Sequence, residues 1–142
     1  MIVYVESSAA LAGWLRQAGG AEMSHLLRSA ELSVTSDLTL IECDRALHRA
    51  ASLQQFSPAL LHAARAAAAD LWDRSHVLEF EGSIVARARQ RFPLEPIRTL
   101  DALHLAFYEK ARRAFPALVM LSLDERVRAV VCALGGQVLP PQ

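Results

Sequence analysis

Short, continuously apolar runs alternate along this chain with longer stretches in which apolar residues recur at helical spacing. Ile2 to Val5 is mostly β-branched and is closed by Glu6-Ser7-Ser8, which predicts a strand feeding a helix from Ala9 to Gln17. Gly19-Gly20 is expected to end that helix. Ala21 to Ser29 is helical in composition, Leu32 to Thr35 reads as a second strand, and Ser36 suits the cap of a helix from Asp37 to about Ala50. Ser57-Pro58 opens a long helix to about Arg74, because serine caps well and proline suits the first helical turn. His76 to Phe80 predicts the third strand and Gly82 to Arg91 a helix, with Phe92 to Pro96 as a loop. Thr99 is placed to cap a helix from Leu100 to about Arg113. Val119 to Leu123 predicts the fourth strand and Asp124 to Leu134 a helix, and Gly135-Gly136 precedes a last strand at Gln137 to Leu139.

Strands with no polar alternation are buried on both faces, and strands alternating with helices form parallel sheets. The pattern therefore predicts an α/β sandwich. No linker, repeat or low-complexity tail interrupts it, so residues 1–142 read as one domain. With 53% hydrophobic and 21% charged residues, the chain lies outside the composition of disordered proteins. Fifteen basic and fifteen acidic side chains cancel, which excludes a grip on nucleic acid by bulk charge and leaves only local contacts. Cys43 and Cys132 stand far apart in apolar stretches and read as small buried thiols, not as a disulfide or a zinc site. No basic segment precedes the first apolar run and no apolar stretch is long enough to span a bilayer, so a cytoplasmic protein with no membrane partner is expected.

Ligands of open parallel sheets bind outside the carboxyl ends of the strands. Glu6 follows the first strand, Asp124 the fourth, Glu42 lies in the helix after the second, and Asp101 in the first turn of the helix before the fourth. Each acid alone could simply answer a helix dipole. Together, with Glu6, Asp124 and Glu42 set in hydrophobic runs, they would repel one another unless a cation shared them, and an all-oxygen set suits a hard divalent ion, Mg2+ or Mn2+.

The strings Val3-Tyr-Val-Glu-Ser-Ser-Ala9, Val34-Thr-Ser-Asp-Leu-Thr-Leu-Ile-Glu-Cys43, Leu100-Asp-Ala-Leu-His-Leu-Ala106 and Leu121-Ser-Leu-Asp-Glu-Arg126 resemble, in order, the four motifs of PIN domains. The length is similar to that of VapC-type toxins of bacterial toxin–antitoxin modules. The resemblance implies a three-layer α/β/α sandwich around a five-stranded parallel sheet and a metal-dependent endoribonuclease. It also implies a homodimer and a cognate antitoxin whose C-terminal segment sets a basic side chain among the acids. Carried over by position, Glu6 stands where the family has its first Asp, and Glu42, Asp101 and Asp124 match the other three acids. The longer Glu6 side chain displaces its carboxylate by about one C–C bond, and Mg2+ demands near-ideal octahedral geometry.

Such a centre would orient a water for in-line attack on an RNA phosphodiester and leave 5′-phosphate and 3′-hydroxyl ends. Ser7 and Ser8 could support a carboxylate or could cap the following helix, and Ser122 carries the same ambiguity. His104, three residues after Asp101 and near the same helix face, reads as packing or hydrogen-bonding beneath the site more readily than as a general base. Arg45 and Arg49, on a helix face with Glu42, and Arg98 could meet RNA phosphates or be solvated. A different enzyme class fits poorly: there is no Asp-x-Asp after the first strand, as dehalogenase-like phosphatases need, and no G-x-x-x-x-G-K-S/T loop. The alternative that stands is a PIN scaffold, weak or inactive because of Glu6, that binds RNA or protein. For partners, the candidate surfaces are the alanine-rich helix from Ala59 to Trp72, which could equally pack on its own domain, and the early helices bearing Leu11, Trp14, Leu15, Leu26 and Leu27.

Overall fold

The computed structural model describes residues 1–141; of the expected 1–142 domain, only Gln142 lies outside the described residues. The elements run β1 (Ile2–Val5), α1 (Ser7–Trp14), α2 (Gly20–Ser29), β2 (Leu32–Ser36), α3 (Asp37–Ser52), α4 (Pro58–Asp73), β3 (Ser75–Leu78), α5 (Gly82–Ala88), α6 (Thr99–Ala114), β4 (Val119–Leu121), α7 (Glu125–Ala133) and β5 (Gln137–Leu139). The five strands form one parallel sheet in the order β3-β2-β1-β4-β5. The expected α/β sandwich with a central five-stranded parallel sheet is therefore present.

Side chains alternate across a strand, and β1 shows how the two faces are covered. Val3 and Val5 pack with Met23, Leu27 and Leu71 on the side of α1, α2 and α4. Tyr4 faces the other way, among Leu105, Tyr108, Val127 and Val130 of α6 and α7. Helix α3 bridges the layers, with Leu38 in one cluster, Cys43 in the second and Leu47 against α4 in a third. After β1 the chain winds outward through β2 and β3, then returns to lay β4 and β5 on β1's other side. The direction of winding thus reverses between β1 and β4, and that crevice is where such sheets hold ligands.

Several boundaries differ from the sequence pattern for local reasons. Helix α1 starts at Ser7, not Ala9, because the Glu6 carboxylate accepts the Ser8 N–H and caps it. Gly19-Gly20 opens α2 instead of closing α1: Gly19 sits at φ 76°, and a Cβ on Gly20 would fall 2.1 Å from the Ala12 carbonyl oxygen. Helix α6 begins at Thr99, with Arg98 at the cap position and no side-chain cap bond. Strand β3 stops at Leu78; Phe80 leaves the ladder, its N–H donating to Asp37 (3.3 Å) and its ring standing edge-on to Phe107. Strand β4 stops at Leu121; just beyond it the Ser122 N–H still donates to the Leu139 carbonyl (3.3 Å) while its hydroxyl donates to Glu6. Helix α5 ends at Ala88 rather than Arg91.

Two expectations about apolar groups are corrected. Cys43 is buried, but Cys132 is exposed on α7. Leu15 is buried against Leu47, Ala50 and Leu61 of α3 and α4, Leu27 is buried against Val3, Val5 and Leu71, and Leu11, Trp14 and Leu26 are half-buried beside them. The large apolar side chains left exposed are Ile41, Leu53, Phe80, Val85, Leu94 and Leu100. Leu61, Ala64, Ala68 and Leu71 of α4 are buried, so one face of that helix packs within the domain. Among the described residues, no helix is long and apolar enough to cross a membrane.

Candidate metal centre

Glu6 leaves the carboxyl end of β1 buried, at 5% exposure. A buried carboxylate is costly unless hydrogen bonds replace its water. Oε2 accepts the Ser8 N–H (3.1 Å), the Ser8 hydroxyl and the Ser122 hydroxyl (2.9 Å). The Ser7 hydroxyl lies 2.7 Å from Oε1 and 3.0 Å from Glu42 Oε2, so its single proton can serve either acid. The serines are themselves fixed: Ser8 Oγ accepts the Leu123 N–H (2.9 Å) and Ser122 Oγ the Asp124 N–H (3.0 Å). These bonds stitch the end of β1 to the end of β4. Thr35 and Thr39 donate to the Val5 carbonyl just before Glu6, at 2.9 and 3.3 Å. A hydroxyl near the end of the apolar strand β2 is the sequence signal for Thr35; Thr39, in the first turn of α3, has no such signal.

Glu42 reaches the same point from α3. Its Oε2 meets His104 Nε2 of α6, and that nitrogen is also 3.7 Å from Glu6 Oε1. His104 is 2% exposed. Its Nδ1 is buried without a partner, and Nε2 faces the two carboxylates. Burial pushes the Glu42 carboxyl up, but the hydrogen bond and charge of His104, with help from Ser7, outweigh it and hold Glu42 below the usual carboxylate range. One donor atom each from Glu6, Glu42 and His104 lie within 4.8 Å of one another.

Asp101 and Asp124 form a second, looser pair. Asp101 lies one turn before His104; its Oδ2 is buried without a hydrogen bond, with Arg98 Nε 3.8 Å away. Burial, then the negative charge of Asp124, raise the Asp101 carboxyl above its ordinary range, against the pull of Arg98 and His104. Asp124 caps α7, its Oδ1 accepting the N–H groups of Arg126 (2.9 Å) and Val127 (3.0 Å). Neither belongs to the group formed by Glu6, Glu42 and His104. The structure thus brings Glu6, Glu42, His104, Ser7, Ser8 and Ser122 together, and sets Asp101 and Asp124 beside them within electrostatic reach. Arg98 is exposed at the head of α6. Arg45 and Arg49 are exposed on α3 and line a shallow depression with His48 and Ser52.

These side chains fit a divalent cation on two counts. Two carboxylates and an imidazole present donor atoms close enough for one ion. The buried Asp101 oxygen without a partner, next to further acids, is a negative group the protein itself leaves uncompensated.

Fold and site together define the class: the chain has the PIN-domain fold, with acids gathered at the β1–β4 crevice where the winding of its parallel sheet reverses. Among solved structures, it is similar to Mycobacterium tuberculosis VapC20, a toxin that cleaves the sarcin–ricin loop (22% identity, TM-score 0.65, 89% of this chain and 93% of that one). It is also similar to PAE2754 from Pyrobaculum aerophilum (19%, 0.63, 97% and 83%). A third is VapBC2 from Rickettsia felis, solved bound to a DNA fragment from its promoter (10%, 0.58, 97% and 97%). No family model matches the sequence, and no curated protein matches it.

Proposed function

We propose that this chain is a metal-dependent endoribonuclease acting as the toxin of a toxin–antitoxin pair. The observation that carries the reading is the buried Glu6–Glu42–His104 group, with Asp101 and Asp124 beside it, at the β1–β4 crevice of a PIN fold. Likeness in fold to a toxin that cleaves the sarcin–ricin loop supports it. Glu6 and Glu42 would hold Mg2+ or Mn2+, with Asp101 and Asp124 facing the same charge. A bound divalent cation supplies Lewis acidity toward a phosphodiester and a more acidic water. The protein's own contribution is to hold the acids still. Ser8 and Ser122 fix Glu6, His104 fixes Glu42, and Ser7 bridges the two. The serine cradle accommodates the extra methylene of Glu6. Arg45 and Arg49, exposed on α3, and Arg98, exposed beside Asp101, would meet RNA phosphates.

For the antitoxin, the groove between α1, α2 and α4 offers the half-buried Trp14, Leu60 and Ala67 with Arg16, Arg28, Asp70 and Arg74 around them, in a cavity of about 340 Å³, and a helix with an apolar face and flanking charges suits it. A homodimer and a cytoplasmic location complete the proposal. A second reading rests on one observation: both carboxylates of the inner group are already hydrogen-bonded within the protein, as a scaffold that binds RNA or protein without cutting would have them. Purified protein incubated with structured RNA in Mg2+ or Mn2+, with and without EDTA, separates the two. Cleavage abolished by EDTA, leaving 5′-phosphate ends, supports the nuclease; binding with no cleavage in either metal supports the scaffold.

A further inference from the structure

Basic and acidic side chains balance over the whole chain, fifteen of each, but not around the groove between α1, α2 and α4. Three arginines border it: Arg16 just past α1, Arg28 in the last turn of α2, and Arg74 at the end of α4. The one acid there, Asp70, has its Oδ2 3.4 Å from Arg74 Nε and so is already shared. Arg16 and Arg28 are exposed and, among the described residues, form no ion pair and donate no side-chain hydrogen bond. A cation near a helix C-terminus answers the helix dipole, which accounts for one arginine per helix but leaves the guanidinium donors unused. We infer, on the reading above that this groove receives the antitoxin, that the docked segment is a helix whose apolar stripe is flanked by carboxylates, one for Arg16 and one for Arg28. Leu15, beside Arg16, packs with Leu61 and Ala64 in the first half of α4, whereas Leu27, beside Arg28, packs with Leu71 near its end. Leu61 and Leu71 are about 15 Å apart along the helix at 1.5 Å per residue, so the matching carboxylates stand about two to three turns apart. Nucleic acid would answer the arginines but would leave the half-buried Trp14 and Leu60 between them without an apolar partner. A carboxylate can take two parallel bonds from a guanidinium, and a basic segment in the same place is repelled, so the rim selects among partners that share an apolar stripe.

Two labelled helical peptides of about twenty residues, with one leucine–alanine stripe flanked in one by Glu and in the other by Lys, test this when titrated into the full chain by fluorescence anisotropy. The Glu peptide should bind at least about tenfold tighter than the Lys peptide, and weaken several-fold as salt rises from about 0.05 to 0.5 M. The double variant Arg16→Glu, Arg28→Glu should reverse the order of the two peptides. Equal affinities, a preference that survives the double variant, or no binding of the Glu peptide overturns the proposal. Single-stranded RNA added as competitor should leave the Glu peptide bound; displacement of the peptide, with RNA binding lost in the double variant, assigns the arginines to nucleic acid and overturns it as well. If the double variant fails to fold, Arg16→Ala and Arg28→Ala decide, each expected to cut the Glu-over-Lys preference about threefold or more, and unchanged preference in both counts against the proposal. Peptide binding reads no cleavage. A chain that sorts the peptides but cuts no RNA keeps this inference and loses the nuclease reading, and one that cuts RNA but does not sort them does the reverse.

Discussion

The two halves of the acid cluster are stabilised in opposite ways. In the inner half, Glu6 and Glu42 are engaged by serine hydroxyls and an imidazole, and Glu42 is held below its ordinary range. In the outer half, Asp101 is raised above its range by burial and by Asp124, and one of its oxygens has no partner. The inner acids are therefore part of the folded structure, whereas Asp101 is a charge the fold tolerates. Sites that bind cations often combine both features: preorganised ligands fix the geometry, and an uncompensated charge favours occupancy.

Glu6→Ala should break the comparison most severely. It removes a candidate ligand and deprives the Ser8 and Ser122 hydroxyls of their acceptor, while Ser7 can turn to Glu42. Cleavage should fall at least about a hundredfold, and stability by about 1–3 kcal/mol, the cost of leaving buried polar groups unpaired. Denaturant unfolding and an RNA cleavage assay measure the two. A variant as stable as the parent would show that the cradle contributes nothing.

Asp101→Asn should give the reverse pattern. Cleavage should drop about tenfold or more, but the melting temperature should hold or rise, because the neutral amide removes a charge that burial and Asp124 disfavour. A lower melting temperature would mean that the 3.8 Å approach of Arg98 stabilises the folded state more than burial and repulsion destabilise it.

Glu6→Asp sharpens the inner half alone. The shorter side chain keeps the charge but withdraws it from Ser122 on β4. We expect activity about five- to tenfold lower in either metal, on the scale of lost support around a ligand. Higher activity, or a shift toward Mg2+, would mean that the cradle holds Glu6 in a compromised position. A metal titration of both forms distinguishes these outcomes.

Much of this arrangement was legible in the sequence, and the parts that were not share a cause. The β–α alternation and the apolar runs located every strand, and the rule for strand ends singled out all four acids. Hydrogen bonds between segments distant in the chain were hidden. The apolar run places the end of β4 at Leu123, and nothing in Val119 to Leu123 announces that the Ser122 side chain will reach Glu6, 116 residues away. The His104–Glu42 contact spans 62 residues, and the three-residue step from Asp101 fixed only which helix face His104 shares. Gly19-Gly20 reads as a stop because glycine signals both ends of a helix; only the 2.1 Å approach of a Gly20 Cβ to Ala12 distinguishes a close helix crossing from a terminus.

The smallest expected effect concerns Asp124, the one outer acid with a structural duty. Its Oδ1 accepts two N–H groups at the head of α7, a bonding pattern that an asparagine carbonyl can reproduce. Asp124→Ala loses those bonds and should cost about 1 kcal/mol. Asp124→Asn keeps them and gives up only the favourable charge at the helix terminus, about 0.3–1 kcal/mol at an exposed site, partly offset by relief of its repulsion with Asp101. If Asp124 also faces the cation, both variants should lose cleavage to a similar degree while differing in stability. Chemical denaturation of the two, run beside the cleavage assay, separates the cap from the charge. Equal stability in the two variants would remove the cap role, and a fully active asparagine variant would confine Asp124 to capping.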